Sequence, residues 1–508
     1  MKFLLIPAVS GTQKPTKNST KTDSAETWDA LRKPTKKFLH VSPAVKAMSD
    51  EIHEECGVVG IYRNDEGKNA APLVYYGLYA LQHRGQESAG IASNHHGSMQ
   101  LKKGLGLVGE VFRTEKLDDL HGNIAIGHVR YSTAGDQSLR SAQPLAGICR
   151  LGELALAHNG NLVNADSLRE MLTDEGVIFH TTTDSESILN LICQHGTRGI
   201  EAGIKNAMSL IKGAYVLVIT IGDKLIGVRD PYGLHPLCVG RLKNEESYVL
   251  ASETCALGAL DAEFVRDVLP GEIVIIDREG LHSIEPSRWC RKNMCVFELV
   301  YFARPDSIVD GVSVYDFRRR CGMKLAAQRK IDADVVMAVP DSGIPAAIGY
   351  AEASGIPYGE GLIKNKYMGR TFILPDQEQR DTAVRIKLAT IKHNIEGKRL
   401  VLIDDSIVRG TTLRRIVKLL RDEGAKEIHV CAASPEVKYS CYFGIDTPHR
   451  EKLIAVQKSP EEICGYIGAD SVTYLSEESL REVCGEDVYC KACFDGNYPM
   501  EVPVNGGD

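Results

Sequence analysis

Apolar and polar positions alternate in two different rhythms along this 508-residue chain. Between Cys56 and about Arg288, short apolar runs are separated by glycine-rich turns and by stretches with helical spacing. Strands are predicted at residues 124–129, 154–157, 215–219, 225–228, 248–251 and 273–276. Many closely spaced strands with helices between them predict an α+β architecture, in which sheets are covered by helices.

The rhythm changes beyond about Cys295. Residues 335–339 and 399–403 are continuous apolar runs, as expected of parallel strands buried on both faces. After the second run, the apolar residues Leu413, Ile416, Val417 and Leu420 follow helical spacing. Gly424 then supplies a plausible end for this helix. This order of strand, loop and helix predicts a doubly wound α/β sheet. The tail from about Ser476 is polar, and we expect little regular structure there.

Composition narrows the class of protein. An apolar fraction of 43% and a charged fraction of 25% are typical of a soluble globular protein, and the length predicts two or three domains. The formal net charge of −7 argues against nucleic acid or an anionic membrane as the main partner. No apolar run approaches the ~20 residues needed to cross a bilayer.

The first 55 residues differ from the rest. Residues 1–10 resemble an export signal only faintly, and residues 11–46 are rich in Lys, Thr, Ser and Pro, which predicts disorder. An alternative expectation is that translation starts at Met48, which would leave the first 47 residues untranslated. The 14 cysteines are scattered rather than arranged as in a disulfide-stapled domain, so the cytoplasm is the expected location.

Cys56 is the first candidate for chemistry. A cysteine at a chain's amino terminus carries a thiol, with a reference pKa of about 8.5, and an α-amine base at about 7.7–8.0. Such a nucleophile requires removal of everything before Cys56. The alternative is an ordinary strand cysteine, because Val58, Val59 and Ile61 form an apolar run.

Residues 401–412 combine a strand, an acidic pair, a loop of small residues and a helix start. Helix starts favour phosphate, and Asp404 and Asp405 stand at the strand end where α/β folds bind ligands. The string resembles the 5-phosphoribosyl-1-pyrophosphate (PRPP) motif of the type I phosphoribosyltransferase family. The resemblance implies that Asp404 and Asp405 face the ribose diol and Mg²⁺. It also implies that the 5-phosphate is cradled by Ser406, Arg409, Gly410, Thr411 and Thr412.

Two further segments fit this resemblance. Residues 339–344 match the family's pyrophosphate loop, which makes Ser342 a candidate contact for metal or pyrophosphate. Lys364, Lys366 and Arg370 belong to a basic, glycine-containing loop that could close over the pyrophosphate and exclude water. The alternative for that loop is a solvated basic surface.

Downstream of Cys56, residues 81–90, 127–133, 158–162 and 182–186 form an ordered set of motifs. They resemble the glutaminase domain of N-terminal-nucleophile amidotransferases. The resemblance implies that Arg130 grips the glutamine carboxylate and that Asp184 binds its α-ammonium group. Asn159 and Gly160 would form the oxyanion hole. The junction before Cys56 would be the site where a propeptide is removed by self-cleavage.

The two resemblances together point to the amidophosphoribosyltransferase family. The implied fold is a layered αββα N-terminal-nucleophile hydrolase domain followed by an α/β phosphoribosyltransferase domain. The implied reaction converts PRPP, glutamine and water to 5-phosphoribosylamine, glutamate and pyrophosphate, with ammonia passing inside the protein. The family also implies a homotetramer inhibited by purine nucleotides such as AMP, ADP and GMP. Expected boundaries are residues 1–55, 56–290, 291–475 and 476–508.

One branch of that family carries an iron–sulfur cluster on four cysteines. This chain matches each of them, at Cys295, Cys441, Cys490 and Cys493. Four thiolates suit a [4Fe–4S] cluster, but they also suit structural zinc, and the residues alone leave both open. Cys290 and Cys484 lie nearby without an assigned role.

Two alternative functions share part of these motifs. One is another amidotransferase with an N-terminal cysteine, such as glucosamine-6-phosphate synthase, which would need sugar-isomerase domains. The other is a regulator that senses PRPP without catalysis, which would have no use for Cys56, Arg130 and Asn159.

Overall fold

The computed structural model describes residues 56–113, 117–131, 138–365, 388–445, 447, 449–485 and 488–503. All of them belong to the compact unit that contains residues 49–508. None of the helices among them combines the length and the apolar character that crossing a bilayer demands.

A seven-stranded antiparallel sheet begins with the strand that follows Cys56, Gly57–Tyr62. Its side chains alternate, since Val58 faces a second sheet while Val59 and Ile61 face helices. In spatial order the strands are Ala262–Asp267, Cys238–Leu242, Tyr248–Ala251, Gly57–Tyr62, Ile124–Arg130, Ser88–His95 and Ser98–Leu105.

A six-stranded antiparallel sheet packs against the first. In spatial order its strands are Gly280–Ile284, Ile273–Asp277, Lys224–Arg229, Gly213–Ile221, Gly152–Leu162 and Leu145–Cys149. Val58 and Ile126 of the first sheet share one apolar core with Val216 and Val218 of the second. Helices cover both outer faces, at Ala71–Ala80, Val108–Val111, Thr254–Ala259, Ala165–Asp174, Asp184–His195 and Ile200–Leu210. We call this αββα arrangement the layered half; it confirms the expected fold class and all six predicted strands.

The rest of the chain is built on a parallel sheet. Its order is Val335–Ala338, Arg399–Asp404, Glu427–Ala432 and Ser471–Tyr474. Val401 and Ile403 point into one core, and Leu400 and Leu402 into another, so the sheet is buried on both faces as predicted. The flanking helices are Val314–Gln328, Ile344–Ser354, Thr411–Asp422, Ile454–Gln457 and Pro460–Ile467. We call this the parallel half.

Short pairs of strands complete the described structure. They are Met294–Cys295 with Tyr489–Cys490, Ile308–Val309 with Val312–Ser313, and Leu362–Lys364 with Leu388–Thr390. Single helical turns occur at Gln82–Arg84, Gly196–Arg198, Glu298–Phe302, Lys392–Asn394 and Arg450–Lys452. The bounds of the four expected domains remain predictions.

The tail is more regular than expected. Helices form at Glu477–Cys484 and Ala492–Asp495. The first is capped by Ser476, whose hydroxyl accepts from the Ser479 N–H, and it buries Leu480 and Val483 against the parallel half. Two apolar residues three positions apart are too weak a pattern for sequence analysis to detect, although they suffice for docking.

Candidate active sites

Cys56 stands immediately before the central strand of the first sheet. Because Gly57 pairs with Val129, the thiol lies at the end of strand Ile124–Arg130. Its Sγ donates to the Tyr131 carbonyl at 3.6 Å, and its own carbonyl accepts from Arg84 Nε at 3.2 Å. The thiol is half-buried. Residues before Cys56 lie outside the described ones.

Arg130, the last residue of that neighbouring strand, is 5% exposed. A second cation lies nearby. Burial, and then the charge of Arg130, lower the pKa of Lys103 to about 8. Lys103 Nζ donates to the carbonyls of Arg140 and Ala142, at 3.2 and 2.5 Å. Two close positive charges create a place for a carboxylate beside Cys56.

Asn159 and Gly160 lie in strand Gly152–Leu162, opposite Val216 and Tyr215. Gly160 has φ +144°, and a Cβ there would lie 2.1 Å from the Ala214 carbonyl oxygen, so only glycine fits. The Asn159 side chain is fully buried, and among the described residues neither of its polar atoms has a hydrogen-bond partner. An orphan amide of this kind calls for a functional explanation.

A buried polar cluster joins the two sheets beneath these residues. His128 Nε2 donates to the His158 carbonyl at 3.0 Å, and Gln143 Oε1 accepts from the His158 N–H at 2.7 Å. Burial lowers the pKa of His128 to about 3, so its ring is neutral. His128 is two residues from Arg130, and His158 is adjacent to Asn159. The cluster therefore brings the two strand ends together, and sequence analysis missed it.

Asp184 begins helix Asp184–His195 beside the same strand. Its Oδ2 accepts from the Leu162 N–H at 3.0 Å, and its Oδ1 lies 3.7 Å from His158 Nδ1. Burial alone would raise its pKa, but His158 and the neighbouring N–H donors lower it. The preceding loop is held by Glu186, which accepts from the N–H groups of His180 and Thr181. Asp184 is thus an ionised carboxylate that can take an ammonium group.

In the parallel half, the acidic pair sits where the sequence predicts. Asp404 ends strand Arg399–Asp404, and Asp405 is 7% exposed. Ser342 Oγ donates to Asp405 Oδ2, and Ser406 Oγ donates to Asp405 Oδ1 at 2.6 Å. The hydroxyl of the 339–344 loop and the acidic pair therefore belong to one site.

The proposed phosphate cradle opens helix Thr411–Asp422. Gly410 precedes the helix with φ +74°, a conformation that favours glycine. The buried Thr411 hydroxyl has no hydrogen-bond partner among the described residues. Ser406, Arg409 and Thr412 flank the same turn. Free helix N–H groups and an orphan hydroxyl are suited to an anion.

The basic loop is described only at its start. Lys364 ends strand Leu362–Lys364, and its Nζ lies 3.1 Å from Asp341 Oδ2 in the pyrophosphate loop. Lys366 and Arg370 lie outside the described residues. Their predicted role stays a prediction.

The four predicted cluster ligands converge. Cys295 and Cys490 are paired residues of a parallel ladder. With Cys441 and Cys493 they line one cavity, which is partly open to solvent. Cys290 and Cys484 do not line it. Within the described ranges, no three His, Cys, Asp or Glu side chains converge tightly enough to hold a single metal ion.

Two family models match the chain, a glutamine amidotransferase domain at residues 118–306 and a phosphoribosyl transferase domain at residues 321–443. The amidophosphoribosyltransferase of Synechocystis sp. is 50% identical over 461 residues, which are 90% of this chain and 93% of the relative. That of Archaeoglobus fulgidus is 50% identical and covers 88% of this chain and 98% of the relative. The chain belongs to the amidophosphoribosyltransferase family.

Solved structures agree. The PRPP amidotransferase of B. subtilis, complexed with ADP and GMP, has a TM-score of 0.83 at 47% identity and covers 89% of this chain and 98% of its own. A structure described as the allosteric regulatory enzyme of purine biosynthesis has a TM-score of 0.84, also at 47% identity, and covers 89% of this chain and 97% of its own. Amidophosphoribosyltransferases transfer the glutamine amide nitrogen to PRPP, the first step of purine biosynthesis, and this is the activity of the chain. Both alternative functions are thereby excluded.

A second buried group of charges was not predicted from the sequence. Arg84, which contacts the Cys56 carbonyl, pairs with Glu253 and Glu298, and all three are at most 1% exposed. Burial alone would raise the pKa of Glu253, but His83 and Arg84 hold it well below its usual range. The available signal was a charge inside an apolar run, as at Glu298 among Val296, Phe297, Leu299 and Val300.

Proposed function

We propose that Cys56 is the nucleophile of glutamine hydrolysis, acting once the residues before it have been removed. Its thiolate attacks the amide carbon, and its own α-amine carries the proton to the departing ammonia. Water then hydrolyses the thioester to glutamate and restores the thiol. The observation that carries this proposal is the buried Asn159 amide without a partner among the described residues. Together with the Gly160 N–H, it is suited to an oxyanion that forms only during the reaction.

The same proposal assigns glutamine binding to two charges. Arg130 takes the carboxylate, since a guanidinium can donate two parallel hydrogen bonds to it. Asp184 takes the α-ammonium group, and its lowered pKa favours the ionised form that this requires. Ammonia then passes inside the protein to C1 of PRPP.

In the parallel half, we assign PRPP to the loop that opens helix Thr411–Asp422. Asp404 and Asp405 accept hydrogen bonds from the ribose diol, and the 5-phosphate lies on Ser406, Arg409, Gly410, Thr411 and Thr412. Lys364, Ser342 and Arg370 would contact the pyrophosphate. Two carboxylates and a hydroxyl fit Mg²⁺, which usually takes its other ligands from water and substrate phosphates. When bound, Mg²⁺ neutralises charge on the pyrophosphate that leaves.

We assign a [4Fe–4S] cluster to Cys295, Cys441, Cys490 and Cys493. The support is that these four side chains line one cavity and that the family branch whose cysteines they match carries such a cluster. A Cys₄ zinc site is the alternative. Iron, sulfide and zinc analysis of protein purified without air tests the assignment. Four iron and four sulfide per chain are expected, and one zinc without sulfide would contradict it.

The family suggests further properties that we also propose. They are removal of a propeptide before Cys56 by self-cleavage, a homotetramer, cytoplasmic location, and inhibition by purine nucleotides. The ADP and GMP in the B. subtilis relative support the last of these, and AMP is a third candidate.

The decisive experiment measures one variant with two nitrogen sources, glutamine and ammonia. Cys56→Ser should lower glutamine-driven synthesis by at least about 10³-fold, because the nucleophile is lost, yet leave ammonia-driven synthesis within about twofold. Both rates are measured as 5-phosphoribosylamine formed. Cys149→Ser, at another half-buried cysteine of the layered half, is the control and should change neither rate. Equal loss of both activities in Cys56→Ser would contradict two separate sites.

A further inference from the structure

The side chain of Glu298 lies between the proposed nucleophile and the parallel half. It binds the Arg84 guanidinium with both carboxylate oxygens, at 2.6 Å to Nη2 and 3.0 Å to Nη1. Glu253 Oε1 accepts a further bond from Arg84 Nη1 at 2.6 Å. Because a guanidinium is planar, these bonds fix the direction of Arg84 Nε, which donates to the Cys56 carbonyl.

The backbone beside Glu298 is held by the parallel half. Glu298 begins the helical turn Glu298–Phe302. Arg318, on helix Val314–Gln328, donates to the carbonyls of Leu299, Tyr301 and Ala303 at 2.8, 2.8 and 2.7 Å. The Glu298 carboxylate therefore projects from a segment that the parallel half fixes.

The same carboxylate also faces the oxyanion strand. Glu298 Oε1 lies 3.5 Å from His235 Nδ1, and His235 Nε2 donates to the Phe443 carbonyl at 2.8 Å. The adjacent Tyr442 carbonyl accepts from Asn161 Nδ2 at 2.9 Å, two residues beyond Asn159. Glu298 is thus linked through Arg84 to the nucleophile, and its carboxylate also lies near His235, whose other ring nitrogen bonds the segment that contacts the strand of the orphan amide.

We propose that Glu298 is a positioning residue for glutamine hydrolysis. It orients Arg84, and Arg84 fixes the carbonyl of the residue that carries the thiol and the α-amine. The inference rests on the proposed role of Cys56. Since a displacement of about 1 Å at a reacting group can cost about 100-fold in rate, loss of the Glu298 charge should slow the chemical step and leave glutamine binding largely intact.

The test is Glu298→Gln, which keeps the shape and removes the charge. Glutamate formation should fall about 10- to 100-fold in kcat, with the glutamine KM within about threefold of the unaltered value. Ammonia-driven synthesis should stay within about twofold. Labelling of Cys56 by an electrophilic glutamine analogue should slow in proportion to kcat. Glu298→Asp restores the charge on a side chain that is one methylene shorter. It should recover part of the lost kcat and part of the lost labelling rate.

The matched control is Glu272→Gln. Glu272 is 1% exposed and is also held by two bonds from one arginine, Arg266, at 2.7 and 2.9 Å. Its partners among the described residues are Arg266, Ser283 and the Leu269 N–H, and none of its hydrogen bonds reaches Cys56 or Asn159. This change should therefore leave kcat and the labelling rate unaltered even where it lowers the melting temperature.

Three outcomes would overturn the inference. They are equal loss of glutamine-driven and ammonia-driven synthesis, an equal effect of Glu272→Gln on kcat, and normal glutamate formation with reduced 5-phosphoribosylamine. The last would place Glu298 in ammonia transfer instead. If Glu298→Gln does not fold, an unaltered labelling rate in Glu298→Asp overturns it equally. Failure of the proposed function is distinguishable, because Cys56→Ser would then retain glutamine-driven turnover.

Discussion

The glutamine site and the PRPP site differ in how their polar groups are paired. In the layered half, Asn159 is buried between two sheets with no partner among the described residues for either polar atom. In the parallel half, Asp405 already binds the hydroxyls of Ser342 and Ser406, and Lys364 binds Asp341. The glutamine site thus keeps an unmet amide in its strand. In the PRPP site the acidic and pyrophosphate-loop groups are paired internally, and the Thr411 hydroxyl at the helix start is the group left without a partner among the described residues.

The difference follows from where each site is built. Asn159 and Gly160 belong to a strand whose register with Gly213–Ile221 fixes their positions. Asp405, Ser406 and Ser342 lie on loops at the carboxyl ends of parallel strands, where a loop can exchange one partner for another. We therefore expect the glutamine site to be preorganised for its transition state, and the PRPP site to exchange internal hydrogen bonds for substrate.

Asn159→Leu tests this difference between the two sites with the largest expected effect. Removing an oxyanion donor should lower kcat for glutamine about 10²- to 10³-fold. A buried amide without partners costs about 1–3 kcal/mol, so the apolar replacement should leave the free energy of unfolding unchanged or raise it. Steady-state kinetics and chemical denaturation measure the two effects.

Asn94→Leu is the matched control for that substitution. Asn94 is equally buried, but its Nδ2 donates to Thr220 and Gly222, and its Oδ1 accepts from Gly97. Its replacement should destabilise the fold by about 2–3 kcal/mol without a selective loss of glutamine turnover. If Asn159→Leu lowers the free energy of unfolding as much as Asn94→Leu does, the Asn159 amide is not the unpaired hydrogen-bond donor that we describe.

At the PRPP site, Asp405→Asn should have a smaller effect. The amide keeps the shape but loses the charge that the ribose hydroxyls and metal require, so synthesis should fall about 10- to 100-fold with either nitrogen source. Labelling of Cys56 by a glutamine analogue should be unaffected. Asp332→Asn, at the opposite end of the same sheet, is the control. A loss confined to the glutamine-driven reaction would contradict the assignment.

The elements and site residues that could be predicted from the sequence are those with a repeating pattern or a contiguous motif. The strands around Val216 and Val401 both follow from apolar runs. Asp404, Asp405 and Gly410 occur within one string, so their proximity needed no knowledge of the fold. The four distant cysteines were matched through the family resemblance, and the structure places them around one cavity, while their role as ligands stays a prediction.

The polar groups that connect strands were not predicted. Arg84, Glu253 and Glu298 are separated by more than 40 residues from one another, and each is a single charge without periodicity. His128 and His158 meet only because two sheets pack face to face. A charge inside an apolar run, as at Glu298, indicates that the residue is buried, but its partner is decided by tertiary packing, for which a single sequence carries no local signal.

The smallest expected effect concerns pH. Burial and Arg130 lower the pKa of Lys103 to about 8, so Lys103 is charged below pH 8 and neutral above it. In the sheet, Lys103 pairs with Gly90, and Gly90 pairs with His128 on the strand that ends at Arg130. Because Gly90 has no side chain, it does not screen the Lys103 charge from the glutamine site. A charged Lys103 adds attraction for the glutamine carboxylate, so the glutamine KM should rise about three- to tenfold as pH increases through 8.

Lys103→Gln should start with the higher KM and remove its rise with pH, since the titrating charge is gone. Lys102→Gln is the control, because the neighbouring Lys102 pairs with the exposed Asp119. The PRPP KM should show no matching rise in any of the three proteins. If it rises in parallel, the pH dependence belongs to the whole enzyme, and the separate electrostatics of the glutamine site would have to be abandoned.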